Sequence, residues 1–171
     1  SGPAAASSAG RRRSARPAGS PATRAASAWR AESGTTRSAG IESLVAQTPS
    51  RLFRMFAHGT TTVEAKTGYG LQTATELRLL KALLSLEEES RLDIAITFLG
   101  AHAIPPEFQQ NPQGYVDLVC GTMLPILRQW WEVHAPGRAL PFVDVYCETR
   151  AFDLERTRQV LTQAKALGFP L

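Results

Sequence analysis

Asp93-Ile94-Ala95-Ile96-Thr97-Phe98-Leu99-Gly100 is a nearly continuous apolar run. At that length it reads as a strand buried on both faces, the habit of parallel sheets. Upstream, Thr60-Thr61-Thr62-Val63-Glu64-Ala65-Lys66 is a β-branched run and reads as a second strand. Downstream, Phe142-Val143-Asp144-Val145-Tyr146-Cys147 reads as a third. Helical spacing fills the intervals. Leu77, Leu80, Leu83, Leu84 and Leu86 line one face of a helix running to about Ser90, opened by a Thr73-x-x-Glu76 capping box. Tyr115, Val119, Met123, Ile126 and Trp130 mark another, interrupted at Pro125. Pro105 and Pro106 keep the segment before it a loop. Asp153 caps a last helix that Gly168 and Pro170 stop. A first helix, with Leu52, Phe53 and Phe56, starts late because of Pro49 and ends near His58 before Gly59.

Strands separated by helices imply an α/β fold, with strands near 60–66, 93–100 and 142–147 parallel and adjacent in that order. The sheet is an open doubly wound one or part of a closed (β/α)8 barrel. A complete barrel takes about 250 residues, so three βα units would be a partial one. A partial barrel is expected to leave two sheet edges and an apolar interior unpartnered, which favours poor solubility or self-association.

Composition separates the chain into two parts. Of 171 residues, 43% are hydrophobic and 20% charged, which excludes a wholly disordered or collagen-like chain. No run of 18 apolar residues occurs, so no spanning helix and no membrane partner are expected. Residues 1–40 hold seven Arg, no Lys and one acidic residue (Glu32), a net of +6, which leaves −2 for the remainder of a chain at +4. The basic character therefore belongs to a leader, residues 1–35, built largely of Ala, Ser, Arg, Gly and Pro. Such a segment cannot bury enough surface to offset its ordering entropy and is expected to be disordered. It reads as a transit peptide, as a nucleic-acid-binding arm through Arg11, Arg12 and Arg13, or as sequence foreign to the domain that follows. The last is expected, because the chain opens at Ser1, and nucleic acid is then not expected as a partner. Residues 36–171 form the folded domain. Cys120 and Cys147 make no disulfide framework and fit a reducing, cytoplasmic setting.

In parallel α/β folds the site lies beyond the carboxyl ends of the strands. Lys66, Thr67 and Tyr69 follow the first strand, His102 the second, and Glu148, Thr149 and Arg150 the third. Each also has a structural reading. Tyr69 between two glycines can cover the barrel mouth, His102 can cap a loop, and Glu148 can pair with Lys66 or Arg150. The histidines at 58, 102 and 134 lie 44 and 32 residues apart, and no His-x-His, His-Glu-x-x-His or Cys-x-x-Cys occurs, so no metal site is read here. There is no phosphate loop and no nucleophile elbow.

Three blocks carry a resemblance. Thr60 through Leu71 with Thr75-Glu76-Leu77, Phe98 through Glu107, and Asp144 through Glu148 with Phe152, Leu154, Thr157 and Arg158 resemble, in order and spacing, segments of the imidazolonepropionases. The first holds the counterpart of that family's Lys-Ser-Gly-Tyr-Gly-Leu motif, with Thr67 in place of Ser. The second holds Gly-Ala-His. The resemblance covers about residues 36–171. It implies a partial amidohydrolase (β/α)8 barrel of histidine degradation, opening the cyclic amide of 4-imidazolone-5-propanoate to N-formimidoyl-L-glutamate. It implies Zn or Fe in the parent family, where the metal activates water. Its His-x-His pair, later His and Asp ligands, and general-base Glu have no counterpart here, so the chain alone is expected to be inactive, with no catalytic or metal-binding residue of its own. Tyr69 and His102 become substrate-binding residues by motif, with Lys66 and Glu148 supporting them. A homodimeric parent is compatible with the resemblance. Two alternatives stand beside it: another cyclic amidohydrolase, or a non-enzymatic binding fragment using the Arg-rich leader.

Overall fold

The structure is a computed structural model, and it describes residues 37, 45–46, 48–148 and 151–171. The leader, 1–35, lies outside the described residues, as do Thr149 and Arg150. The order is α1 (Thr48–Ala57), β1 (Thr62–Lys66), α2 (Thr73–Glu89), β2 (Asp93–Ala101), α3 (Pro112–Leu118), α4 (Leu124–His134), β3 (Phe142–Val145) and α5 (Leu154–Ala166).

The three strands form one sheet in the order β1-β2-β3. Both pairings are parallel, with Lys66 beside Thr97 and Thr97 beside Phe142. The expected α/β order and direction therefore stand. The register shifts between Phe98 and Ala101, where β2 carries one residue more than β3 before the pairing resumes at Ala101 and Val145. Beyond β3, Tyr146 N–H still donates to Ala101 O at 3.0 Å, so the third strand's tail stays against the second. After α5 the chain returns beside β3, and Val143 N–H donates to Pro170 O at 2.9 Å.

Alternation along each strand sorts the side chains onto two faces. Ile94, Ile96, Phe98, Val143 and Val145 point to the face that the helices cover, and they pack with Leu80, Leu84, Val119, Leu127, Val160 and Ala164. The other face holds Glu64, Lys66, Thr97, Phe142 and Asp144. The expectation of an apolar interior is corrected here. Lys66 Nζ reaches Asp144 Oδ2 at 2.7 Å and Glu64 Oε1 at 3.3 Å, and Thr97 Oγ1 donates to Glu64 at 2.7 Å. Phe142, 43% exposed, and Leu99, 8% exposed, are the large apolar side chains that the alternation places on that face.

Three local expectations change as well. Between α3 and α4 the helix continues through a π-turn, Val119–Met123, in which the Leu124 amide bonds Val119 O five residues back. The cause is Pro125, whose ring and missing N–H spoil the regular bond to the preceding turn. Pro106–Phe108 is a 3-10 turn, which a proline can open since its first position needs no donor. The capping box does not form. Gln72 is the N-cap of α2 and offers no side-chain cap, and the Glu76 carboxylate turns instead to the loop before the helix. Asp153 does cap α5, accepting from Arg156 N at 2.9 Å. Cys120 and Cys147 are free thiols. No helix among the described residues is long and apolar enough to cross a membrane.

Candidate functional site

The carboxyl ends of the three strands bring three rings together. Tyr69 follows β1, His102 follows β2 and Tyr146 follows β3. His102 meets Tyr69 edge-on at 5.4 Å between ring centres and Tyr146 edge-on at 5.7 Å. Both tyrosines are substantially exposed, 42% and 52%, and His102 is half-buried. The rim is thus a partly exposed aromatic face, a surface suited to a small planar ligand.

The loop Thr67–Leu71 sets this geometry. Thr67 is buried and extends the ladder, donating its N–H to Thr97 O at 3.0 Å while its hydroxyl accepts from Leu99 N at 3.2 Å. Gly68 has φ +95°, and a Cβ there would strike Leu99 O. Gly70 packs so closely on Thr75 that a Cβ would collide with its side chain. Glycine at both positions follows from these contacts. Leu71 adopts φ +56° without being glycine, a strained conformation costing about 1–2 kcal/mol. Its side chain, 1% exposed, is seated in the core and offsets that cost.

His102 Nδ1 lies 2.9 Å from Gly68 O. A carbonyl only accepts, so Nδ1 carries the proton, and neutral His102 presents an Nε2 lone pair. That atom accepts from a ligand N–H and becomes a donor only when the ring is protonated.

Lys66 and Glu148 are not brought together. Lys66 spans the open sheet face to Asp144 and Glu64, and its hydrogen bond to Asp144 outweighs burial and raises its pKa above the ordinary 10.5. Glu148 is exposed, and its N–H donates to Phe152 O at 3.0 Å. Arg150, the other partner considered for it, lies outside the described residues.

Sequence reasoning missed three residues near the rim. Tyr146 completes the ring cluster, and its place just past β3 is the same topological signal that picked out Tyr69 and His102. Glu76, 1% exposed, accepts from the amides of Gly68, Gly70 and Leu71 at 2.7, 2.9 and 2.8 Å. Arg37 donates from Nε to Gly70 O at 2.6 Å and pairs through Nη1 with Glu107 at 2.5 Å. Behind the rim, buried Tyr115 donates to Gly100 O at 2.8 Å, and burial first, then the Glu76 charge, pushes its phenol well above the ordinary 10.0.

No family model matches the sequence. Curated relatives do. The chain is 48% identical over 136 residues to an imidazolonepropionase of Herpetosiphon aurantiacus, covering 80% of this chain and 32% of the relative. It is 47% identical over 137 residues to that of Chloroflexus aggregans, covering 79% and 32%. Over this segment the chain is similar to imidazolonepropionases. A third, from Caldanaerobacter subterraneus subsp. tengcongensis, is 46% identical over 136 residues, covering 80% and 31%. The chain spans about a third of the length of the imidazolonepropionases it matches. Among the described residues, no group of three or more His, Cys, Asp or Glu is placed to hold a metal ion. At the rim His102 offers a single lone pair, on Nε2, and one imidazole is not a ligand set. The described residues therefore do not fit a metal centre.

Proposed function

We propose that residues 36–171 form the substrate-holding part of an imidazolonepropionase-type hydrolase, a portion of a (β/α)8 amidohydrolase barrel. The reaction is hydrolytic opening of 4-imidazolone-5-propanoate. Water's oxygen bonds the ring carbonyl carbon, the C–N bond of the cyclic amide breaks, and the released nitrogen takes a proton, giving N-formimidoyl-L-glutamate. The metal of such an enzyme, Zn or Fe, finds no ligand set among the described residues, and no step is assigned to it here. The setting is the cytoplasm, the partner is the small-molecule substrate, and the parent assembles as a homodimer. The leader, 1–35, is foreign to this role.

One observation carries the reading: Tyr69 and His102, the two residues singled out by motif, meet edge-on at 5.4 Å on the rim where parallel α/β proteins hold their ligands. Tyr69 offers its hydroxyl to the substrate. His102 accepts a ring N–H through Nε2 when neutral, and once protonated donates from the same atom to charge developing on the carbonyl oxygen. Lys66 supports them from the sheet face by tying β1 to β3, and Glu148 does so from the rim.

A chimera tests this. Residues 36–171 replace the matching segment of the Herpetosiphon aurantiacus relative, and steady-state kinetics are read with metal content. The chimera is expected to turn over. In it, Tyr69→Phe should raise KM with kcat little changed, since the hydroxyl binds ground and transition states alike. His102→Ala should lower kcat by about 10²–10³-fold, the usual cost of losing such a donor. A folded, metal-loaded chimera in which neither substitution alters kinetics would sink the assignment. The 171 residues alone are expected to show no turnover, and metal-dependent hydrolysis by them would overturn the claim that the described residues lack the centre.

A further inference from the structure

We propose that Glu76 is the positioning residue of the rim: its buried carboxylate fixes the Thr67–Leu71 loop, and through the Gly68 carbonyl it sets the tautomer and aim of His102. The proposal rests on the reading above and deepens it, since it concerns the same rim.

Glu76 sits on the buried face of α2 near Leu80 and Leu84, where an apolar side chain would be ordinary. A carboxylate taken out of water is costly unless its oxygens are hydrogen-bonded. Here the amides of Gly68, Gly70 and Leu71 all donate to it, Gly68 to Oε2 and the other two to Oε1. Among the described residues it has no salt bridge, so its stabilisation comes from the loop. Hydrogen bonds to an ionised acceptor are roughly twice as strong as neutral ones. The dependence is mutual, because the amides converge only while Gly68 holds φ +95° and Leu71 φ +56°.

Each glycine of the loop is held by both of its polar groups. Gly68 gives its N–H to Glu76 and its carbonyl to His102 Nδ1 at 2.9 Å. Gly70 gives its N–H to Glu76 and its carbonyl to Arg37 Nε at 2.6 Å. Tyr69 lies between these two clamped peptides, and its ring faces His102. The connection from Glu76 to the rim is therefore two hydrogen bonds long, carboxylate to Gly68 and Gly68 to imidazole. A glutamine at this position keeps one acceptor oxygen and turns an NH₂ toward a loop amide, donor against donor. The loop would shift, and Gly68 O would release Nδ1.

The test needs no substrate, so a failed hydrolase reading would leave its readouts unaffected. ¹⁵N-histidine spectra of the 171-residue chain report the tautomer of each ring, with His58 and His134 as internal controls. Amide exchange reports Gly68, Gly70 and Leu71. The native chain is expected to show His102 in the Nδ1–H form. Glu76→Gln should speed exchange of the three amides by about tenfold or more, as loss of a hydrogen bond to a charged group implies. It should also move His102 toward the Nε2–H form while His58 and His134 keep theirs. Glu76→Asp, one methylene shorter, should do the same to a smaller degree. An Nε2–H form of His102 in the native chain overturns the proposal. So does an unchanged Nδ1–H form in a folded Glu76→Gln chain whose loop amides exchange fast. Unfolding of both variants would assign Glu76 to the core alone and equally overturn it.

Discussion

On the helix-covered face of the sheet, Ile94, Ile96, Phe98, Val143 and Val145 are all buried, while between them on the opposite face Glu64, Lys66 and Asp144 carry charge and bond to one another. The same strands thus present two chemistries. The covered face is held by burial, which is non-directional and roughly proportional to area. The open face is held by directional pairs that tolerate water but contribute little to stability there. The comparison teaches where function can be placed. A face that need not supply folding energy is free to carry polar groups up to the rim, where Tyr69, His102 and Tyr146 meet.

Truncating the covered face should give the largest effect. Phe98→Ala removes a ring that is 1% exposed and is expected to cost about 3–5 kcal/mol, read by urea unfolding. A loss below about 1 kcal/mol would mean that the core collapses around the gap, and the contrast between faces would fail. Tyr115→Phe, also on the covered side, leaves Gly100 O without its donor. It should cost about 1–3 kcal/mol, the penalty of an unsatisfied buried acceptor, in the same assay.

The open face should respond less. Asp144→Asn removes the stronger partner of Lys66, and because both side chains are partly exposed the cost should stay below about 1 kcal/mol near neutral pH. Its pH dependence gives a sharper check. The Lys66 pKa is raised in the folded chain, so its contribution is fully present below the ordinary 10.5 and is lost as pH rises through the higher folded value. Alkaline unfolding profiles should show that loss in the native chain and not in Asp144→Asn. The smallest effect belongs to Glu107. Burial favours its neutral form, but its own backbone amide and Arg37 prevail and hold its pKa below the ordinary 4.5. Its contribution is present above that value and fades as pH falls through the folded one. Glu107→Gln should flatten the acid limb of the stability profile slightly, and an unchanged limb would show that the Arg37 contact stabilises nothing.

Much of the architecture is legible in the chain. The apolar run from Ile94 to Gly100 and the β-branched run ending at Lys66 give strand positions, and the helices between them require parallel pairing. Tyr69 and His102 are found from the same logic, because residues just past parallel strands gather on one rim. Glu76 is misread. Thr73-x-x-Glu76 has the local signature of a capping box, but the carboxylate finds three loop amides within reach, and these outcompete the single N-cap donor. The partner of Lys66 is not legible either. Asp144 is 78 residues away, and the β1-β2-β3 register brings the two within 2.7 Å.

Local spacing by itself determined the elements and their direction, since periodicity and glycine or proline punctuation act within a few residues of the chain. The tertiary structure alone decided the proton position on His102, the burial of the Glu76 charge, the contact of Tyr146 with the rim and the ionic character of the open face. Each depends on groups distant in the chain meeting within hydrogen-bond or ring-contact range, and that distance is fixed by strand register and loop conformation rather than by residue type.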